Sequence, residues 1–138
     1  MAQGRPYQAY QKTSVGTSSQ KQLVLMLFDG MNRFMNQGIK AIAEEDFEAT
    51  HIALHKSGKI LLELISTLRE DKGGEIARNL KSVYVFCYEQ TVIANLKKDA
   101  DIIRDIQGIL GNISAGFKEI SQKASVVATG AQKISVTG

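Results

Sequence analysis

The sequence predicts an all-α protein, an antiparallel four-helix bundle with a mobile N-terminal arm and a short C-terminal tail. Three observations carry that prediction. Apolar residues recur at three- and four-residue spacing in four successive stretches. The stretches are joined by short connections, which favour antiparallel neighbours. The single proline, Pro6, falls in a polar leader rich in Gln, Ser, Thr and Gly that lacks periodicity. At 138 residues and 43% hydrophobic, the chain suits one domain that buries its own core. The expected division is an arm at 1–18, a helical bundle at 19–125 and a tail at 126–138.

The first helix is expected over residues 20–43. Ser19 has the hydroxyl of an N-cap, and Gln22 three residues on completes a capping-box pattern. Met26, Leu27, Phe28, Met31, Phe34 and Met35 spread apolar groups beyond a single stripe, so this helix is either central to the bundle or partly reserved for a partner. Asp46 is placed to cap a second helix reaching residue 71, with Leu54, Leu61 and Leu68 at heptad spacing. Gly73 and Gly74 then read as a helix-to-helix connection. The third helix runs to residue 98. Its segment from Val83 to Tyr88 is rich in strand-forming residues, but Ile76, Leu80, Val83, Cys87 and Ala94 hold helical spacing on both sides of it.

Asp99 or Asp101 starts the fourth helix, where Ile102, Ile106, Ile109, Leu110, Ile113, Phe117 and Ile120 recur at three and four. Gly108, Gly111 and Gly116 interrupt it, each costing roughly 1 kcal/mol relative to alanine. This helix is therefore expected to depend most on its neighbours. From Val126 the chain turns small, polar and glycine-containing, which reads as a tail.

Composition excludes several function classes. The formal charge of +3 comes from the ends of the chain, because acids slightly outnumber bases between residues 23 and 117. No basic stripe or zinc-finger spacing is present, which argues against nucleic-acid binding. No run of about 20 apolar residues is available for membrane insertion, and the leader lacks the apolar segment of a secretory signal. The one cysteine, Cys87, lies in an apolar run and reads as core filler. A cytoplasmic location follows as the expectation.

No catalytic constellation emerges. His51 and His55 share a helix face with Glu48, but a zinc-protease motif needs glutamate at position 52, where Ile52 stands. A di-iron bundle needs the Glu-x-x-His pair on two helices, and Glu48 with His51 is the single such pair. Both histidines read as helix-surface residues, with no metal, no cofactor and no enzyme expected. A metal-dependent bundle using them would carry stoichiometric metal. What remains is apolar helix surface beside a leader with two aromatics, Tyr7 and Tyr10. Met26, Met31 and Met35 have the adaptable side chains that suit a helical ligand, though plain core is the commoner use of such residues.

Two blocks of residues resemble the flagellin-specific export chaperone family (FliS). The first comprises Tyr10, Val15, Thr17, Ser19, Leu23, Met26, Leu27, Phe28, Asp29 and Gly30. The second runs from Gly73 and Gly74 through Glu75, Ile76, Ala77, Arg78, Asn79 and Leu80 to Tyr84, Ala94 and Asn95. The chain departs from the family pattern at Gln20, Phe28, Val85 and Phe117. The resemblance implies a cytoplasmic chaperone that binds the C-terminal segment of flagellin, prevents premature polymerisation and passes its client to an export-gate component. It also implies an arm that lies over a client groove. The partner-binding residues expected on this basis are Tyr7, Tyr10, Val15, Leu23, Met26, Leu27, Met31 and Tyr84, with Asp29, Asn79 and Asn95 holding helix ends or backbone. The alternative is a helical adaptor of another secretion or signalling system.

Overall fold

The computed structural model describes the backbone of residues 17–137 and the side chains of 20–69 and 71–120. Four helices run α1 (Thr17–Ala43), α2 (Phe47–Ser66), α3 (Glu70–Lys97) and α4 (Ala100–Thr137). Each packs against its chain neighbours, and α4 closes on α1, so the four form a ring around one core. The all-α four-helix bundle is the architecture the periodicity predicts. Tyr7, Tyr10, Val15 and nearly all of the expected arm lie outside the described residues.

The caps explain where the helices stop. α1 begins at Thr17, so Ser19 and Gln22 lie within helical backbone, and the expected Ser19 cap gives way to an earlier start. Its C-terminus closes with Glu45 in the left-handed region at φ 56°. There Asp46 N donates to Ala41 O at 2.9 Å and Glu45 N to Ile42 O at 3.0 Å, the paired bonds of a Schellman turn. Asp46 then caps α2 by accepting from Ala49 N at 3.1 Å, as its position in the sequence predicts. Lys98, at φ 53°, repeats the left-handed device between α3 and α4. Asp99 caps α4 by accepting from Asp101 N at 2.9 Å.

Three boundaries differ from expectation. α2 ends at Ser66 instead of residue 71, because the hydroxyls of Ser66 and Thr67 donate to Glu63 O and Leu64 O, both at 2.6 Å, and take over the last carbonyls. The connection therefore lies at 67–69. Gly74 is a break inside α3, at φ 57° and ψ −129°. That conformation is open to glycine and strained for any other residue. Finally, α4 stays helical to Thr137, through the segment expected as a tail; the chain after Pro6 holds no proline to stop it.

The core takes one stripe from each helix. α1 supplies Val24, Phe28, Met31 and Met35, α2 supplies Leu54, Leu61 and Leu64, and α4 supplies Ile103, Ile106 and Leu110. α3 contributes Ala77, Tyr84, Cys87, Thr91 and Ala94. Ile76 stands one residue out of phase with that stripe and is 79% exposed, which removes it from the expected core. Ile120 is likewise exposed, while Ile103, beside the expected Ile102, is fully buried. Phe28 and Tyr84 meet across the bundle with ring centroids 6.3 Å apart. The buried hydroxyls of Thr50, Ser57 and Thr91 each donate to a backbone carbonyl, so burial leaves none of them unsatisfied.

Candidate binding grooves

Helix α2 has two working sides. Toward α1 the backbones come close: a Cβ on Gly38 would stand 2.9 Å from Leu54 Cδ2, and one on Gly30 would stand 3.5 Å from Ile60 Cδ1. Ser57 Oγ also donates across this seam to Met31 O at 3.4 Å. Toward α3 the same helix leaves an open groove of about 440 Å3. Its floor is Leu54 and Gly58, with the Tyr88 ring 3.3 Å from where a Cβ on Gly58 would sit. Its walls carry apolar side chains that no other helix covers. Leu62 is 49% exposed, Val92 44% and Leu96 80%.

Tyr88, Val92 and Leu96 follow one another four residues apart, so they form a single line down α3. The rim is polar. His51 and His55 stack with centroids 5.9 Å apart on α2. Asn95 faces them from α3, its Nδ2 standing 2.8 Å from His51 Nδ1. Its Oδ1 accepts from Lys98 Nζ at 2.6 Å. Asn95 bonds side chains and not the helix end or backbone expected of it, and Asp29 and Asn79 sit exposed on helix surface.

Two smaller hollows lie elsewhere among the described residues. Between α1 and α4 lies a trough of about 350 Å3 with Phe28, Met31 and Met35 beneath it. Its walls are polar, and Gln107 Nε2 donates to Asn32 Oδ1 at 2.9 Å and Asn36 Oδ1 at 2.7 Å, holding α4 to α1. Near the start of α1, a hollow of about 250 Å3 opens between Val24, Leu68, Leu80, Tyr84 and Phe117.

The residues expected to bind a partner divide sharply. Leu23, Met31 and Tyr84 are buried to within a few per cent, at 2%, 1% and 3% exposure. Met31 and Tyr84 reach a hollow as its floor. Leu27 is half-buried against the core. Met26, 56% exposed, stands free on α1. Leu62, Val92 and Leu96, not among the expected residues, are apolar residues out of phase with the core stripes of α2 and α3 and stand exposed.

Cys87 is buried, and desolvation pushes its thiol up to about 11. Desolvation, with the neighbouring Cys87, pushes the Tyr84 phenol up to about 12. Among the described residues no three His, Cys, Asp or Glu side chains cluster as metal ligands, and no helix is long and apolar enough to cross a membrane.

Comparison with known proteins agrees with this architecture. Residues 1–124 match the model of the family described as flagellar protein FliS. The chain is 37% identical to the flagellar secretion chaperone FliS of Salmonella typhimurium over 115 residues, covering 83% of this chain and 85% of that protein. It is 31% identical to that of Bacillus subtilis, covering 88% and 90%, and 30% identical to that of Campylobacter jejuni, covering 87% and 94%. A helical bundle whose apolar side chains line an open groove, and whose sequence matches these relatives over most of its length, belongs to the FliS family of flagellar proteins.

Proposed function

We propose that this protein is a cytoplasmic flagellar secretion chaperone, without enzymatic activity, that holds the C-terminal segment of flagellin and keeps it from polymerising before export. The observation that carries the reading is the line of Leu62, Val92 and Leu96 standing exposed along the α2/α3 groove. An amphipathic helix laid there covers apolar side chains from both walls. The client loses conformational entropy when it orders, so one groove gives weak binding. A long client that continues into the α1/α4 trough and the hollow at the start of α1 reaches useful affinity. Contact along all three exceeds the standard interface of about 1,600 Å2.

Residues 1–18 act in this reading as an arm, with Tyr7, Tyr10 and Val15 covering the client groove when it is empty. Met26 adds an exposed contact on α1, and an export-gate component receives the loaded complex. Met31, Leu23 and Tyr84 support the grooves from within.

Co-purification tests the proposal. Full-length flagellin is expected to remain with the chain through size-exclusion chromatography, and flagellin lacking its C-terminal segment is expected to separate from it. Equal retention of both would overturn the assignment of the client segment.

A further inference from the structure

The rim of the α2/α3 groove contains a polar relay whose proton positions follow from the identity of its members. Lys98 Nζ donates to Asn95 Oδ1 at 2.6 Å. An ammonium has no lone pair, so the amide oxygen must face Lys98 and the NH2 group must face His51. Asn95 Nδ2 stands 2.8 Å from His51 Nδ1, which makes Nδ1 the acceptor. This pairing requires the tautomer with its ring proton on Nε2.

We propose that this relay makes the α2/α3 groove proton-responsive. When His51 takes up a second proton, Nδ1 becomes a donor facing another donor. Lys98 prevents the Asn95 amide from simply turning over, because that would set NH2 against the ammonium. The link between α2 and the end of α3 opens, and Asn95 lies next to Leu96, the most exposed apolar residue of the groove wall. Protonation also places positive charge beside the apolar floor.

Charged groups neighbour His51 along both helices. On α2, Glu48 precedes His51 by one turn, His55 stacks on it and Lys59 lines the groove. On the α3 side stand Lys98 and the adjacent Asp99. The α1 helix meets α2 along Ser57 and Ile60, on another side. Reversal of the hydrogen bond carries the effect.

The consequence for client binding rests on the chaperone reading; the proton relay itself does not. The test uses the full chain labelled with 15N at histidine and asparagine side chains, with the flagellin C-terminal segment as ligand, at pH 7.5 and 5.5. His51 is expected as the Nε2–H tautomer at pH 7.5, and the Asn95 NH2 signal is expected to shift on acidification. Client affinity is expected to fall about threefold to tenfold over that range.

His51→Asn offers an oxygen near the Nδ1 position that accepts without titrating. Whatever its affinity at pH 7.5, it is expected to lose most of the fall between pH 7.5 and 5.5, whereas His55→Gln keeps that fall. An Nδ1–H tautomer, an Asn95 signal indifferent to pH, or unchanged pH dependence in His51→Asn would each overturn the proposal. Absence of client binding at pH 7.5 would instead count against the chaperone reading, leaving the tautomer and the Asn95 signal to decide the relay.

Discussion

The two sides of α2 are built from similar residues and end in opposite states. Toward α1, Gly30 and Gly38 let Ile60 and Leu54 approach the neighbouring backbone, and the seam closes. Toward α3, Gly58 serves instead to admit the Tyr88 ring at the floor. The walls above it stay apart, leaving Leu62, Val92 and Leu96 uncovered. A glycine on a helix thus closes an interface when a partner side chain fills the space from the facing helix. It deepens a groove when an aromatic ring stands there and holds the walls at a distance. One helix in this way both stabilises the bundle and leaves apolar surface exposed.

The comparison breaks most visibly at Leu61 and Leu62, adjacent residues on the two sides of that division. Leu61 is fully buried, so Leu61→Ala is expected to lower stability by about 2–5 kcal/mol, read from the urea unfolding midpoint. The pair Leu62→Ser and Leu96→Ser is expected to change stability by only about 0.5 kcal/mol each. Their effect falls on binding, where affinity for the flagellin C-terminal segment should drop about tenfold or more in calorimetric titration. Stability losses as large as that of Leu61→Ala would show that the α2/α3 walls belong to the core and leave no free groove.

The smallest expected effect has the opposite sign. Glu45 adopts φ 56° at the end of α1, a conformation that strains an L side chain and suits glycine. Glu45→Gly is expected to raise stability by up to about 1 kcal/mol, with the α1–α2 seam and client affinity unchanged. A destabilised variant would mean that the Glu45 side chain contributes more than its backbone costs.

Much of this molecule was legible in the sequence. The Asp46 cap is a local matter of a carboxylate three residues before a free N–H. The stripe of Leu54 and Leu61 and the burial of Cys87 follow from helical spacing alone. The left-handed positions were not legible, because Glu45 and Lys98 occupy them where glycine would have announced the turn. Gly74 did announce itself, yet it marks a break inside α3 instead of the connection, since Ser66 and Thr67 had already ended α2.

The candidate site was less legible for a related reason. Periodicity identifies which residues share a face but not whether a neighbour covers that face. Met31 and Leu62 are both apolar residues on helices, yet one is 1% exposed and the other 49%.

By itself, the sequence determined four helices, most of their core stripes, the Asp46 cap and the family to which the chain belongs. Those properties depend on near neighbours along the chain and on side-chain spacing. Only the tertiary structure decided which apolar face each helix keeps from its neighbours, and that His51 and Asn95, far apart in sequence, share a hydrogen bond across the groove. Such outcomes depend on the distance between backbones, and that distance is set by the packing of all four helices together.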